Sequence, residues 1–214
     1  MKVIILFGKP GAGKGTLIAK ITESDENWRV LSTGGALRKA VSDGSETGMK
    51  AKSYMEAGKL VPDEVVVKCV QDALASIESE AEGIEGIILD GFPRNIAQVE
   101  AMSKLGIIPT KVLDLNVSDE VVVKRLTSRV ECKNCKTPYS LLKGPMHPKV
   151  DGICDQCGGE LVQRADDKPE TVRARLAEYE AKTAPVLAKL KELNIPIFET
   201  SSDANEEEIK AMLS

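Results

Sequence analysis

The chain has 214 residues, of which 42% are hydrophobic and 29% are charged. This composition can bury a core in one domain with insertions or in two small domains. The formal net charge of −4 gives no global attraction to nucleic acid or an anionic membrane, so neither is expected as a partner. The apolar N-terminal stretch is too short for a signal peptide, and no apolar run approaches the ~20 residues of a membrane span, so we expect a cytoplasmic protein.

Short apolar runs alternate along the chain with longer segments of helical character. The predicted strands cover 2–7, 28–32, 86–90, 111–117 and 195–199. The predicted helices cover 14–23, 62–78, 95–104, 118–128, 168–192 and 204–213, and a polar helical stretch covers about 34–58. Strands separated by helices imply right-handed crossovers, so we predict an α/β fold with a five-stranded parallel sheet.

The glycine-rich stretch GKPGAGKGT, residues 8–16, lies between the first predicted strand and the first predicted helix. Glycines let the backbone approach an anion closely, and the N-terminus of the helix adds partial positive charge. Lys14 can bring a mobile cation to phosphates. The hydroxyl that commonly follows this lysine comes one residue late, at Thr16, because Gly15 intervenes. The loop indicates a nucleoside triphosphate site rather than a plain turn, but it does not identify the reaction.

A second group of polar residues follows the predicted strand 86–90, in the stretch DGFPRNIAQ. Asp90 stands at the carboxyl end of that strand, where ligands bind in parallel sheets, and it can hold Mg²⁺ through water. Arg94 can form paired hydrogen bonds with a phosphate, and Gln98 offers an amide to a base edge. The alternative interpretation is a capped turn that binds no ligand. The position of Asp90 at the end of the strand favours a binding site.

Four of the five cysteines form two Cys-x-x-Cys pairs, Cys132 with Cys135 and Cys154 with Cys157. This spacing is typical of a zinc site, and a reducing compartment favours metal over disulfides. Four thiolates complete a tetrahedral shell and leave no position for substrate, so the predicted Zn²⁺ is structural. The fifth cysteine, Cys69, is interpreted as a small buried hydrophobic residue.

Taken together, GKPGAGKGT, STGGALR (32–38) and DGFPRNIAQ resemble the nucleoside monophosphate kinases, and specifically the adenylate kinases. RLTSR (125–129), QRADDKPETVRARL (163–176) and the four-cysteine segment resemble their long form, which has a zinc-containing lid. The resemblance covers nearly the whole chain in the right order.

The resemblance implies a three-layer P-loop nucleoside-triphosphate-hydrolase-like fold with two inserted segments. The core would comprise 1–31, 62–127 and 166–214. A nucleoside monophosphate-binding segment would cover 32–61, and a zinc-binding, zinc-ribbon-like lid would cover 128–165.

The resemblance also implies roles for individual residues. Those expected to bind ATP are Gly11, Ala12, Gly13, Lys14, Gly15, Thr16, Arg125, Pro138 and Tyr139. Those expected to bind AMP are Thr33, Arg38, Lys59, Leu60, Val61, Gly91, Arg94, Gln98, Arg164 and Arg175. The expected catalytic group is Lys14, Asp90, Arg94, Arg129, Arg164 and Arg175. Physical chemistry supports such a set, because two facing nucleotides bring five phosphates together and phosphoryl transfer depends mainly on positioning and charge neutralisation.

The function implied is Mg²⁺-dependent phosphoryl transfer from ATP to AMP, which gives two ADP. The family resemblance implies a monomer and leaves a homo-oligomer open. Departures at Gly35, Val130 and the turn 199–205 leave the donor base open, so use of GTP or several donors is an alternative. A zinc-ribbon nucleic-acid-binding ATPase is a more distant alternative. It is disfavoured because the segment around the cysteines has as many acidic residues as lysines, whereas a nucleic-acid site is expected to be basic. The stretch DGFPR would also have no role in such a protein.

Overall fold

The computed structural model describes residues 1–79 and 83–214 of the chain. Strands in these residues are β1 Lys2–Gly8, β2 Trp28–Ser32, β3 Gly86–Asp90, β4 Lys111–Leu115, β5 Arg129–Cys132, β6 Pro138–Ser140, β7 Leu161–Gln163 and β8 Ile197–Thr200. Helices are α1 Lys14–Ser24, α2 Thr33–Ser42, α3 Glu46–Glu56, α4 Asp63–Ser79, α5 Ile96–Lys104, α6 Asp119–Thr127, α7 Pro169–Glu178, α8 Ala184–Glu192 and α9 Glu206–Leu213.

Five strands form one parallel sheet in the order β2-β3-β1-β4-β8, which confirms the predicted α/β fold. Ser32 on β2 and Leu6 on β1 both lie opposite Asp90 on β3, so β2 and β3 end at the same level and β1 extends two residues further, to Gly8. Because the carboxyl ends of parallel strands share one edge, the loops after β1, β2 and β3 meet there.

Helices cover both faces of the sheet, which explains the continuous apolar sequence of β1. Ile5 and Phe7 point to one face and pack in a cluster with residues of α4, α5 and α8. Ile4 and Leu6 point to the other face and pack with residues of α1 and α9. The alternation of side chains along a strand thus builds the three layers of the fold.

The helical predictions differ from the structure in two places. The stretch 34–58, predicted as helical without a division, forms two helices. Gly44, with a φ of 65°, ends α2, and Ser45 then caps α3 by accepting a hydrogen bond from Gly48 N. The predicted helix 168–192 contains a π-helical turn, Tyr179–Thr183, between α7 and α8. Neither difference moves the strand ends that frame the site.

The last strand of the parallel sheet begins at Ile197 rather than at residue 195. Asn194 has a positive φ of 60° at the turn, and Pro196 has no N–H to donate, although its carbonyl oxygen accepts from Val112 N. Regular pairing with β4 therefore starts one residue after the proline.

A small antiparallel sheet, β6-β5-β7, forms in the cysteine segment and was not predicted from the sequence. Its strands have three or four residues each, too few for a clear alternating pattern. A minor core of Val130, Cys132, Tyr139 and Cys154 lies against it, with Leu161 beside them. Across the described residues, every helix is too short or too polar to cross a membrane.

Candidate active site

A cavity of about 1400 Å³ opens at the carboxyl ends of the parallel strands. Its walls include the glycine loop 8–14, residues of α2 and α3, the stretch after β3, part of α7 and the cysteine segment 128–165. Within the described ranges, all the residues expected to bind nucleotide border the cavity except Ala12. The side chain of Ala12 is buried in the core instead. This volume exceeds the ~300–1,000 Å³ of an ordinary ligand pocket, so it can hold a large ligand or two smaller ones.

The glycine loop needs glycine for two reasons. Gly11 and Gly13 have φ values of 80° and 105°, which side-chain-bearing residues rarely adopt. A Cβ at Gly11 would lie 2.8 Å from Leu126, and one at Gly13 would lie 2.5 Å from Ser202. The loop is therefore held in a tight conformation against the rest of the core.

Lys14 begins α1 and turns back over the loop. Its Nζ donates hydrogen bonds to the carbonyl oxygens of Gly8 at 2.6 Å and Lys9 at 3.0 Å. Burial lowers the pKa of this amine to about 8, with Asp90 acting in the opposite direction and Arg94 adding to the lowering. An anion in the cavity would therefore find a poorly hydrated cation already aimed at it.

Thr16, whose hydroxyl comes one residue later after Lys14 than is common, lies in the first turn of α1. Gly15 is exposed, and a Cβ there would meet nothing within 4 Å. The hydroxyl of Thr16 lies 3.7 Å from the sulfur of Met146 in the cysteine segment. The cysteine segment therefore reaches over the glycine loop and covers one end of the cavity.

The end of β3 holds several of the expected residues together. Asp90 accepts a hydrogen bond from the Ser32 hydroxyl at 2.8 Å. The Thr33 hydroxyl and Arg94 Nε both donate to Gly91 O at 2.8 Å. These bonds join the carboxyl ends of β2 and β3 and fix the guanidinium of Arg94 at the floor of the cavity.

Gln98 is almost fully buried, and both ends of its amide are engaged. Its oxygen accepts from Arg94 N at 2.7 Å, and its nitrogen donates to Asp63 Oδ1 at 2.7 Å. Asp63 also accepts from Asn95 and was not singled out in the sequence analysis. The expected contact between Gln98 and a base stays a prediction, and it would use the amide hydrogen that remains.

Two aspartates, also missed from the sequence, organise three of the expected arginines. Arg129 makes a paired contact with fully buried Asp167, both distances being 2.7 Å. Arg164 makes a paired contact with Asp166 at 3.0 and 2.8 Å, and Arg175 contacts both aspartates at 3.0 and 3.1 Å. The adjacent pair of acids thus orients three cationic groups towards one cavity.

The charges in this cluster perturb one another. Burial lowers the pKa of Arg175 to about 10. Burial alone would raise the pKa of Asp166, but Arg175 and Arg164 lower it to about 2. Across the cavity, burial and then Arg164 lower the pKa of Arg38 to about 10. The cluster is therefore cationic and poorly hydrated, which is an environment that favours a bound polyanion.

The segment containing Lys59, Leu60 and Val61 is also tied to the core. Lys59 is exposed, whereas Leu60 N donates to Glu178 Oε1 at 3.2 Å. A Cβ at Gly58 would lie 2.9 Å from Thr171 O of α7. These contacts bring the loop after α3 against α7.

The opposite end of the cavity contains Arg125 and the turn after β8. Arg125 Nη1 donates to Ala12 O at 3.1 Å, and Ser202 packs against Gly13. Pro138 is exposed at the rim, whereas the ring of Tyr139 is buried in the small core of the cysteine segment.

The four cysteines of the two pairs form one cluster, in which all Sγ atoms lie within 4.8 Å of one another. Cys132 and Cys157 are 3.4 Å apart, and Cys135 and Cys154 are 3.5 Å apart. A tetrahedral ion with metal–sulfur distances of about 2.3 Å needs sulfurs about 3.8 Å apart. The donor set and its spacing therefore fit a Zn²⁺ ion.

Comparisons with known proteins point to one family. The model of a family described as Adenylate kinase matches residues 6–195. An adenylate kinase of Caldicellulosiruptor bescii is 43% identical over 217 residues, covering 98% of each chain. One of Archaeoglobus fulgidus is 46% identical over 188 residues, covering 86% of this chain and 83% of its own. One of Methanosarcina acetivorans is 41% identical over 218 residues, covering 99% and 98%.

The lowered pKa of Lys14 predicts a pH-dependent affinity for polyphosphate. A bound anion favours the ammonium form, so binding is strongest below pH 8 and weakens as the pH rises above about 8. The affinity for inorganic triphosphate, measured by calorimetric titration, should fall above pH 8 by up to about 10-fold per pH unit more in wild type than in Lys14→Met. The variant serves as the control, because its pH dependence reports the titration of the ligand alone. Identical slopes for the two proteins would contradict the assignment.

Proposed function

The chain belongs to the adenylate kinase family, and from this premise we propose that it transfers a phosphoryl group from ATP to AMP, giving two ADP. The observation that carries the proposal is the convergence of the glycine loop and six arginines on one cavity at the ends of the strands. The nucleic-acid-binding alternative loses its basis, because the stretch around Asp90 and Arg94 has a place in this cavity.

Catalysis by these residues would consist of positioning and charge neutralisation. Backbone N–H groups of Gly11 to Thr16 would hold the donor phosphates, and Lys14 would exchange its two carbonyl partners for the transferred phosphoryl group. Arg129, Arg164 and Arg175 would neutralise the charge that develops between donor and acceptor, and Asp166 and Asp167 would keep them in place.

Mg²⁺ would accompany the nucleotide and supply further neutralisation of the phosphate oxygens. Asp90 is the residue that would hold it through water, because it stands at the end of β3 beside the phosphate loop. Its hydrogen bond from Ser32 fixes the orientation of the carboxylate.

The acceptor AMP would bind at the end of the cavity formed by α2 and the loop after β3. Arg38 and Arg94 would bind its phosphate, since a Cβ at Gly34 would lie 3.2 Å from Arg38 and 3.6 Å from Arg94. Thr33, Gly91, Gln98 and the backbone of 59–61 would surround the nucleoside.

The donor base would lie between Arg125, the rim at Pro138 and Tyr139, and the turn 199–205. This turn packs closely on the glycine loop through Ser202. Because contacts of this kind come largely from backbone and a cation, use of GTP or other donors remains the alternative within the same reaction.

Three parts of the chain would move relative to one another during turnover. We assign the core to 1–31, 62–127 and 166–214, the AMP-binding segment to 32–61 and the lid to 128–165. The contacts of Thr16 with Met146 and of Gly58 with α7 support closure of both inserted segments over the cavity. Closure would exclude water, which otherwise competes with AMP for the phosphoryl group.

The cysteine cluster would hold one structural Zn²⁺. It consists of four sulfurs, which leave no open position, and none of the four cysteines borders the cavity within the described part of the chain.

We further propose a cytoplasmic monomer that acts on free nucleotides.

The proposed reaction is tested by a coupled assay that pairs ATP, GTP, CTP and UTP with AMP, CMP, GMP and UMP. Rapid turnover of ATP with AMP, and a loss of at least about 100-fold with CMP or UMP, is expected because Gln98 and its neighbours would select adenine. Equal use of CMP or UMP would contradict the assignment of AMP. Equal use of all donors would leave AMP in place and identify the broader-donor alternative.

Two arginines on α7 provide a matched test of the catalytic cluster. Arg175 lines the cavity, whereas Arg173 is exposed on the same helix. Arg175→Met should lower kcat by about 10²–10³-fold because a positioned cation is removed, and Arg173→Met should leave kcat within about twofold. Steady-state kinetics on variants with wild-type circular dichroism decide the matter, and equal effects of the two substitutions would exclude a specific role for Arg175.

The role of the metal is tested by separating stability from turnover. Elemental analysis should find one zinc per chain, lost in Cys154→Ser and retained in Cys69→Ser, since Cys69 lies on α4 outside the cluster. Cys154→Ser should lower Tm clearly while kcat at a cool temperature changes little, because metal binding contributes folding free energy to the lid. A variant that keeps its Tm but loses turnover would indicate a catalytic metal instead.

A further inference from the structure

We propose that Tyr139 is a positioning residue of the lid metal site, and that its hydroxyl donates a hydrogen bond to the thiolate of Cys154. The proposal rests on the zinc site proposed above and extends it to a residue outside the four ligands. It also gives the hydroxyl of Tyr139 a role distinct from contact with the donor nucleotide.

The geometry places the hydroxyl between two groups of the second cysteine pair. Tyr139 is the central residue of β6, and its side chain packs against Val130, Cys132 and Cys154 in the small core of the lid. Its oxygen lies 3.4 Å from Cys154 Sγ and 2.8 Å from Asp155 N. The residue is only 6% exposed, so water has little access to these contacts.

The direction of both hydrogen bonds follows from the donors available. The backbone N–H of Asp155 can only donate, so the oxygen of Tyr139 accepts that bond. The hydroxyl proton must then point elsewhere, and Cys154 Sγ is the other hydrogen-bonding partner among the residues that the structure describes. A buried phenol normally satisfies its proton, so the bond runs from the hydroxyl to the sulfur.

The receiving sulfur is one that the solvent cannot stabilise. Cys132 and Cys154 are buried, whereas Cys135 and Cys157 are exposed. Four thiolates around one divalent cation carry a net charge of −2, and a donor aimed at a buried thiolate stabilises that charge and fixes the direction of its lone pairs. Tyr139 supplies this donor to a buried member of the set.

The same contact explains why the residue is tyrosine. Packing in the lid core and a wall of the cavity require only an aromatic ring, which phenylalanine would also provide. The hydroxyl has its described partners at the metal cluster and not in the cavity. Its function is therefore assigned to the metal.

The test compares wild type with Tyr139→Phe, using Tyr54→Phe as the matched control, because Tyr54 is exposed on α3. Zinc affinity is measured by competition with a chromophoric chelator. Tyr139→Phe should bind one zinc with an affinity lower by about 10–100-fold, and Tyr54→Phe should bind as wild type does. In the Co²⁺-loaded proteins, the sulfur-to-metal charge-transfer band should move to lower energy in Tyr139→Phe, because an unbonded thiolate gives up an electron more easily.

Incorporation of 4-aminophenylalanine at position 139 restores an N–H donor at the same point and should recover most of the lost affinity. This variant also serves if Tyr139→Phe does not fold, since it should give folded protein that binds zinc. Unchanged affinity and an unchanged Co²⁺ band in Tyr139→Phe, or no recovery with the amine, would overturn the role of Tyr139 alone. Absence of metal binding by wild type would overturn both this inference and the proposed zinc site.

Discussion

The burial of several cations around one cavity is the constraint on which the site depends. Lys14 has its pKa lowered to about 8, and Arg38 and Arg175 have theirs lowered to about 10. Asp166 and Asp167 offset part of this charge and hold the guanidinium groups in fixed directions. The aspartates leave part of the positive charge in the cavity uncompensated. A bound polyphosphate should neutralise that charge and so stabilise the folded chain, in addition to reacting.

The same constraint accounts for the division of the chain around the cavity. Lys14 and Arg94 belong to the core, Arg38 lies on α2, and Arg129 and Arg164 lie where the cysteine segment begins and ends. These five cations border one cavity although they come from three different stretches of the chain. Because phosphates on two nucleotides would be shared among these groups, the substrates themselves would draw the parts together.

The sequence predicted what depends on local pattern. Apolar runs predicted the five strands, the glycine cluster predicted a loop that borders the cavity, and the paired cysteines predicted the cluster of four sulfurs. The acids that organise the site could not be found in this way. Asp167 meets Arg129 across 38 residues, and Glu178 meets Leu60 across 118, so their partners are set by the tertiary fold. Likewise, Gln98 was expected to face a base, and its bond to Asp63, 35 residues away, forms only where α5 packs against α4.

The segment 128–165, proposed above as a lid, would owe its rigidity to contacts within itself. Its core contains little more than Val130, Tyr139 and Leu161 beside the buried cysteines, which is too thin to hold three short strands by burial alone. A closed sulfur site would join the turn after β5 to the turn before β7, and its free energy would be internal to the lid. The lid could then open and close as one body, because the interactions that keep it folded are not those that close it over the phosphates. Stability of the lid and charge neutralisation in the cavity can thus be altered separately, since the first would depend on sulfur and Tyr139 and the second on arginine.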